Sequence, residues 1–126
     1  MTDVPRIPAR RARKAGPRWL AAAAALLALA CAPRVRVLAG GGGAPTSFRV
    51  RAEATRVELS GTMTAWRPVP LERRGGLFEL WLDLPPGRYE YRLEIVDVRE
   101  TRAVFPDGGE RTSDGFGGEN AVVRVQ

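Results

Sequence analysis

Residues 77–95 read LFELWLDLPPGRYEYRLEI, and apolar side chains alternate with polar or charged ones on both sides of the central Pro-Pro-Gly. A period of two residues is typical of a β-strand that buries one face and exposes the other. Pro85-Pro86-Gly87 has the composition of a tight connection. We therefore expect strands over 77–84 and 89–97, joined as an antiparallel hairpin.

The same alternation recurs before and after this stretch, with apolar positions at Phe48, Val50, Ala52, Val57, Leu59, Ala121, Val123 and Val125. The charged residues between apolar positions are expected on the solvated faces of the strands: Arg49, Arg51, Glu58, Glu79, Asp83, Glu90, Arg92, Glu94 and Arg124. Short strands separated by Gly and Pro turns, with no helical period among them, predict an all-β fold. We expect a β-sandwich over residues 46–126.

The 126 residues include no His and one Cys, Cys31. The chain therefore lacks the residues for a Ser-His-Asp or Cys-His catalytic site, a His-rich zinc site or an internal disulfide. Glycoside hydrolysis needs two carboxylates in an enclosed cleft. The carboxylates of the expected hairpin have no such cleft: Glu79, Asp83, Glu90 and Glu94. We expect no enzyme activity, no metal and no cofactor.

Basic residues are concentrated at the start of the chain. Six of the 20 Arg and Lys residues precede residue 31, with one acidic residue among them, which leaves 14 basic and 13 acidic residues from residue 31 onward. A nucleic-acid-binding domain would carry its basic stripe on the folded part. The nearly neutral folded part therefore argues against a nucleic-acid partner.

The N-terminal residues have the organisation of an export signal. A basic segment ending at Arg18 is followed by the uncharged run Trp19–Ala30, which is 12 residues long and shorter than the roughly 20 residues of a membrane-spanning helix. The small-x-small sequence 28–30 precedes Cys31, as in the lipobox of bacterial lipoproteins. We expect residues 1–30 to be a signal peptide or membrane anchor and Cys31 to be lipidated. A secreted form and an uncleaved anchor are the alternatives.

The lipidated, secreted and uncleaved forms all place the rest of the chain outside the cytoplasm, because the basic segment stays on the cytoplasmic side. Gly40–Gly43 has no side chains to pack, so residues 31–45 are expected to be a flexible tether between anchor and domain. A phosphate-binding loop is excluded because no Lys-Ser/Thr pair or helical pattern follows the glycines.

Four blocks of the predicted domain occur in an order known from one family: VELSGTMTAW at 57–66, PLER at 70–73, LDLPPGRYEYR at 82–92 and DGFGGENAVV at 114–123. Together they resemble the glycogen-binding modules of AMP-activated protein kinase beta subunits and the early-set domains of isoamylases and branching enzymes, known as carbohydrate-binding module family 48. The resemblance covers residues 46–126. It implies an immunoglobulin-like sandwich that binds α-glucan chains without catalysis.

The resemblance also implies site residues. Trp66 matches the tryptophan on which a sugar ring stacks, Arg92 a basic residue that binds hydroxyls, and Asn120 the amide of the final turn; Phe116 matches an apolar residue that touches the glucan. Each position has a structural alternative. Trp66 could pack under its loop, Arg92 could pair with an acid such as Glu79, Asn120 could be an ordinary turn amide, and Phe116 could close the core.

Two further aromatic residues are candidates. Trp81 shares its side of the predicted strand with the charged residues Glu79 and Asp83. We therefore expect it to be exposed, on the same sheet face as Arg92. Its role could be a second platform, a contact for a partner protein or an ordinary surface position. The family places a second tryptophan where this chain has residues 97–107, and no Trp occurs there. Phe105 is the nearest replacement.

One stacking tryptophan implies millimolar affinity, because covering about 100 Å² of indole contributes about 2 to 3 kcal/mol before the costs of association. Many copies on a membrane could still hold a polymer. We expect a partner such as environmental starch, maltodextrin or an envelope polysaccharide, because glycogen is cytoplasmic and this domain is expected to be exported. The alternative function is an envelope interaction or scaffold domain that keeps the sandwich but binds a protein partner.

Overall fold

The computed structural model of the chain describes residues 32–126. In this range the strands are β1 (Arg34–Leu38), β2 (Thr46–Arg51), β3 (Arg56–Gly61), β4 (Val69–Pro70), β5 (Glu72–Arg74), β6 (Leu77–Leu82), β7 (Gly87–Val96), β8 (Thr101–Val104), β9 (Glu110–Ser113) and β10 (Glu119–Val125). No helix among these residues is long and apolar enough to cross a membrane. The expected signal or anchor at residues 1–30 and the expected lipidation at Cys31 lie outside the described residues.

The strands form two antiparallel sheets. The four-stranded sheet has the order β1-β2-β6-β5, and the six-stranded sheet has the order β4-β3-β7-β10-β9, with β8 also paired to β7. Apolar residues from both sheets share one buried cluster, which includes Phe48, Val50, Val57, Leu59, Phe78, Tyr91, Leu93, Ile95, Ala121 and Val123. These are inward positions of the period-two alternation, so the predicted all-β sandwich is confirmed.

A contact between two aromatic rings joins the sheets through the core. Phe48 of β2 and Tyr91 of β7 are both buried, and their rings meet edge to face with centroids 5.2 Å apart. This geometry suits the opposite charges of a ring's edge and face. Burial also raises the pKa of the Tyr91 hydroxyl to about 12, because the charged phenolate is poorly solvated there.

The expected hairpin across Pro85-Pro86-Gly87 is wrong. β6 pairs with β2 and β5, whereas β7 pairs with β3, β10 and β8, so the connection passes from one sheet to the other. Pro85 and Pro86 have no backbone N–H to continue a ladder between β6 and β7. The Tyr89 hydroxyl donates a hydrogen bond of 2.6 Å to the Pro85 carbonyl and fixes the crossing.

The expected flexible tether is wrong where the structure describes it. Residues 34–38 form β1, which pairs with β2 along its whole length, from Arg34 opposite Arg51 to Leu38 opposite Ser47. The glycine run is the hairpin turn between these strands. Gly42 and Gly43 have φ values of 59° and 90°, which favour glycine. Residues 34–38 themselves alternate, and Val35 and Val37 pack against the core.

Gly61, the last residue of β3, lies too close to β7 to carry a side chain. A Cβ there would lie 2.5 Å from the Glu90 carbonyl oxygen and 2.9 Å from the Tyr91 Cβ. Its φ of −174° is ordinary extended backbone, so the restriction is purely steric. A Cβ on Gly76 would meet nothing within 4 Å.

We expect Gly61→Ala to lower the free energy of unfolding by about 2 kcal/mol, because β3 and β7 must separate to admit the methyl group. The melting temperature should fall by roughly 10 °C in a thermal unfolding experiment. Gly76→Ala is the matched control and should change stability by no more than about 0.5 kcal/mol. Equal melting temperatures for the two variants would contradict the close approach.

Candidate functional site

The outward face of the six-stranded sheet carries a shallow cavity of about 400 Å³. We call it the Trp66 cavity, and it is lined by Trp66, Glu90, Arg92, Ser113, Asp114, Phe116 and Asn120. Four of the six sequence-predicted sugar contacts therefore lie together. They come from the loop after β3, from β7, from the β9–β10 turn and from β10.

The loop after β3 holds Trp66 in an uncommon backbone conformation. A short 3-10 turn at Thr62–Thr64 is followed by Ala65 and Trp66, whose φ values of 53° and 60° lie in the left-handed region. Two consecutive non-glycine residues in this region cost free energy, and such strain is often found at binding sites. The Trp66 side chain is 45% exposed. The alternative that it packs beneath the loop as core therefore does not hold.

Hydrogen bonds within the loop fix this conformation. The Thr64 hydroxyl accepts from the Gly61 N–H at 3.0 Å and donates to the Gly61 carbonyl at 3.1 Å. The Trp66 N–H donates to the same carbonyl at 2.8 Å. The Thr62 hydroxyl accepts from the Glu90 N–H at 3.2 Å, which ties the loop to β7. The indole is therefore presented by a closed turn attached to the sheet.

Asp114 organises the opposite side of the cavity. Its Oδ1 accepts the N–H groups of Phe116 at 2.7 Å and Gly118 at 2.9 Å, and its Oδ2 accepts from Arg92 Nη2 at 2.8 Å. The two backbone hydrogen bonds, followed by the Arg92 guanidinium, lower the pKa of the Asp114 carboxyl. A Cβ on Gly118 would lie 2.5 Å from Asp114 Oδ2, so even the methyl group of alanine would displace this carboxylate.

Arg92 thus has a salt-bridge partner, but it is not the one expected. Glu79 belongs to the other sheet, where it is buried and 3.7 Å from Arg49, so the expected pairing with Arg92 and the expected solvated position of Glu79 are both wrong. The expected pairing of Arg92 with Glu79 rested on the incorrect hairpin, which placed β6 next to β7. Arg92 is held by Asp114 and lies 4.0 Å from Glu94 on its own strand.

Two polar atoms in the cavity wall have unmet hydrogen-bonding capacity. Among residues 32–126, neither Arg92 Nε nor Asn120 Oδ1 has a hydrogen-bond partner, and Asn120 is only 5% exposed. A buried polar group without a partner costs about 1 to 3 kcal/mol, so such groups are usually met by water or ligand. Asn120 offers either an acceptor or a donor to the cavity, because its oxygen and nitrogen exchange places when the amide is turned over.

Phe116 lies at the tip of the β9–β10 turn and is 95% exposed. The alternative that it closes the core is therefore wrong. Its backbone N–H is bound by Asp114, so the turn is fixed while the ring faces solvent beside the cavity. An apolar ring this exposed is available to a ligand.

Trp81 and Phe105 lie outside the cavity. Trp81 is exposed, as expected, but it is on the four-stranded sheet, so the expectation that it shares a face with Arg92 is wrong. Phe105 packs against the core, with the Arg111 guanidinium 4.3 Å above its ring centroid. Phe105 does not replace the missing platform in this structure.

Sequence reasoning missed Glu90, Ser113 and Asp114 as cavity residues. Glu90 is half-buried and accepts a 2.9 Å hydrogen bond from Arg88. Asp114 had a usable signal, because Asp followed by Gly-x-Gly-Gly is typical of a turn in which the carboxylate binds later backbone N–H groups. No group of three metal-ligating side chains occurs in the described part of the chain. What the cavity offers is an aromatic plane, a guanidinium, carboxylates and an amide.

We expect Asp114→Asn and Asp114→Ala to separate the two functions of this carboxylate. The Asn variant keeps an acceptor for the turn N–H groups but loses the Arg92 pair, whereas the Ala variant loses both. Thermal unfolding at neutral pH should therefore give the order wild type, Asn variant, Ala variant, from most to least stable.

The difference in melting temperature between wild type and the Asp114→Asn variant should depend on pH. The pKa of the Asp114 carboxyl is lower in the folded state than in the unfolded chain. The charged carboxylate therefore stabilises the fold fully above the ordinary aspartate pKa of about 3.9, and this stabilisation is lost as the pH falls through the folded-state pKa. The two melting temperatures should converge in strong acid. A difference in melting temperature that stays constant down to strong acid would contradict the stabilising role assigned to the Asp114 carboxylate.

Comparisons with known proteins agree with this geometry. Residues 44–126, more than half of the chain, match the family described as the glycogen recognition site of AMP-activated protein kinase. The chain is also 39% identical over 57 residues to 5'-AMP-activated protein kinase subunit beta-1 of Sus scrofa. That match covers 45% of this chain and 46% of the relative, so it spans less than half of the relative's length.

The resemblance drawn from the four sequence blocks is confirmed, with the match beginning at residue 44 rather than 46. Domains of this family are non-catalytic and bind carbohydrate, in agreement with the expectation that the chain is not an enzyme. By its sequence match and its sandwich of two antiparallel sheets, the chain belongs to the family of glycogen recognition domains of AMP-activated protein kinase.

Proposed function

We propose that the Trp66 cavity binds α-glucan chains and that the domain is displayed outside the cytoplasm on a lipid anchor. The observation that carries the glucan proposal is the exposed Trp66 ring, which lies in one cavity with the Arg92 guanidinium and the Asn120 amide. Family membership supports it, because the matched family is described by glycogen recognition.

The chemistry of a pyranose ring suits this cavity. The ring has an apolar C–H face, which would cover the Trp66 indole, and a rim of hydroxyls, which would exchange hydrogen bonds with Arg92, Asn120 and Glu90. Asp114 holds the Arg92 guanidinium in place before a ligand arrives, so little side-chain entropy is lost on binding. The cavity is shallow, which suits a segment of polymer rather than an enclosed small molecule.

Phe116 supplies the second apolar contact in this proposal. Phe105, the replacement expected from sequence, is held against the core, whereas Phe116 is exposed and lines the same cavity as Trp66. The phenyl ring of Phe116 offers less apolar area than the indole of Trp66, so its contribution is smaller. The domain would therefore bind one glucan segment with millimolar affinity and hold a polymer through many anchored copies.

The proposed ligand is an external starch, a maltodextrin or another envelope polysaccharide, because the proposed location separates the domain from cytoplasmic glycogen. The sequence of residues 1–31 supports this location through its basic segment, short apolar run and single Cys. An envelope interaction domain is the second candidate function. Exposed Trp81, which lies away from the cavity, favours it.

We expect Trp66→Ala to abolish co-sedimentation of the full-length chain, purified in detergent, with granular starch. Loss of about 2 to 3 kcal/mol from a millimolar interaction places it beyond detection. Phe116→Ala should weaken the interaction, and Trp81→Ala, which removes an equally large exposed ring from the other sheet, should leave it unchanged. Cellulose serves as the control polymer.

Wild-type protein that stays in the supernatant with starch would contradict glucan binding and favour the interaction-domain alternative. A partner protein lost on Trp81→Ala would then identify that function. Equal losses for Trp66→Ala and Trp81→Ala would show that binding does not occur at the Trp66 cavity.

We expect Cys31 to carry a lipid when the chain is expressed in a bacterium. Labelling with a radioactive fatty acid should mark the wild-type chain in the membrane fraction and should leave Cys31→Ser unlabelled. An unlabelled and freely soluble wild-type chain would contradict the anchor but would leave the starch experiment unaffected.

A further inference from the structure

The outward face of the four-stranded sheet brings together four arginines of β1 and β2. Arg34 lies directly opposite Arg51, and Arg36 lies directly opposite Arg49. Like charges in directly opposed positions destabilise an antiparallel pair. We call these four residues the arginine face.

Few carboxylates balance the arginine face. Arg49 lies 3.7 Å from Glu79, and within residues 32–126 no carboxylate oxygen lies within 4.0 Å of Arg34, Arg36 or Arg51. The four arginines line a hollow of about 410 Å³ together with Val35, Leu77 and one acid, Asp107. The hollow is therefore suited to anionic groups.

Exposed apolar side chains adjoin the arginines on the same face. Leu38 is opposite Ser47, which in turn is opposite Trp81, and these positions alternate with the inward ones. Leu38 is 55% exposed and Trp81 is 41% exposed. The Arg49 guanidinium lies 6.0 Å from the Trp81 ring centroid, which confirms that the charged and apolar groups are neighbours.

This combination favours a lipid surface over a soluble polyanion. Arginine binds phosphate headgroups, tryptophan prefers the boundary between headgroups and acyl chains, and leucine enters the apolar layer. A soluble polyanion would account for the arginines but would leave Leu38 and Trp81 exposed to water. If the lipid proposed at Cys31 is present, the two residues between it and Arg34 keep Arg34, at one end of this face, within about 10 Å of the lipid attachment point.

We propose that the arginine face, together with Leu38 and Trp81, docks the domain on an anionic membrane surface. The Trp66 cavity lies on the outward face of the other sheet, so it faces away from the membrane in this arrangement. Docking would thus orient the cavity toward external polymer. The proposal does not depend on glucan binding, because it uses none of the cavity residues.

The test follows the surroundings of Trp81 in the full-length chain. Trp19→Phe and Trp66→Phe leave Trp81 as the remaining tryptophan. The chain is reconstituted in vesicles of phosphatidylcholine, with or without phosphatidylglycerol, that contain brominated lipid as a quencher. We expect quenching of Trp81 to be stronger in the anionic vesicles and to fall as the ionic strength rises.

Two triple variants of equal charge provide the control. Arg34→Gln/Arg36→Gln/Arg51→Gln should weaken the docking equilibrium about 100-fold and reduce quenching to the level of neutral vesicles. Arg67→Gln/Arg99→Gln/Arg102→Gln removes three exposed arginines elsewhere and should retain full quenching. Thermal unfolding checks that both variants are folded.

Equal Trp81 quenching in neutral and anionic vesicles would overturn the proposal, as would equal losses in the two triple variants. Dextran sulfate is the probe for the competing class of ligand. If it shields Trp81 from acrylamide as strongly as anionic vesicles do, the face binds an anionic polymer and the lipid assignment is wrong. The starch experiment is read independently of all these outcomes.

Discussion

Tyr91 is the position on which the arrangement of the domain depends. Its ring meets Phe48 edge to face and joins the two sheets through the core. Because neighbouring residues of a strand point to opposite faces, burial of Tyr91 directs Arg92 outward into the Trp66 cavity. Tyr91 also lies opposite Gly61, where the Trp66 loop begins. Packing in the core therefore sets both the direction of the guanidinium and the starting point of the loop.

The cavity is largely organised before any ligand arrives. On one side, hydrogen bonds between Gly61 and Thr64 hold a turn whose left-handed residues present the indole. On the other side, the Asp114 carboxylate holds both the β9–β10 turn and Arg92. The Arg92 guanidinium and the Asn120 amide lie in the same cavity wall as the indole. These contacts fix the geometry of a shallow surface before binding, which would lower the entropy cost of the proposed sugar binding.

Alternation in the sequence was sufficient to predict β2, β3, β6, β7 and β10 and their inward faces, because a period of two encodes the direction of each side chain. It did not predict the other five strands. It does not encode the partner of a strand. The Pro85–Gly87 connection was therefore assigned to a hairpin when it crosses between sheets, and the placement of Trp81 beside Arg92 followed from that error. β1 was missed because the glycine run separates it from the other alternating segments. The resemblance located four cavity residues, but the role of Asp114 depends on contacts between β7 and a distant turn.

β1 forms one edge of the four-stranded sheet, and an unpaired edge is a template for another strand. A second copy that added its own β1 there in antiparallel register would bring arginines of the two chains together along the new seam. Their mutual repulsion opposes such growth and helps to keep neighbouring copies separate, even when they are crowded. Multivalent anions that screen these charges would weaken the repulsion, so edge-to-edge pairing of the domain would depend on the ionic composition of its surroundings.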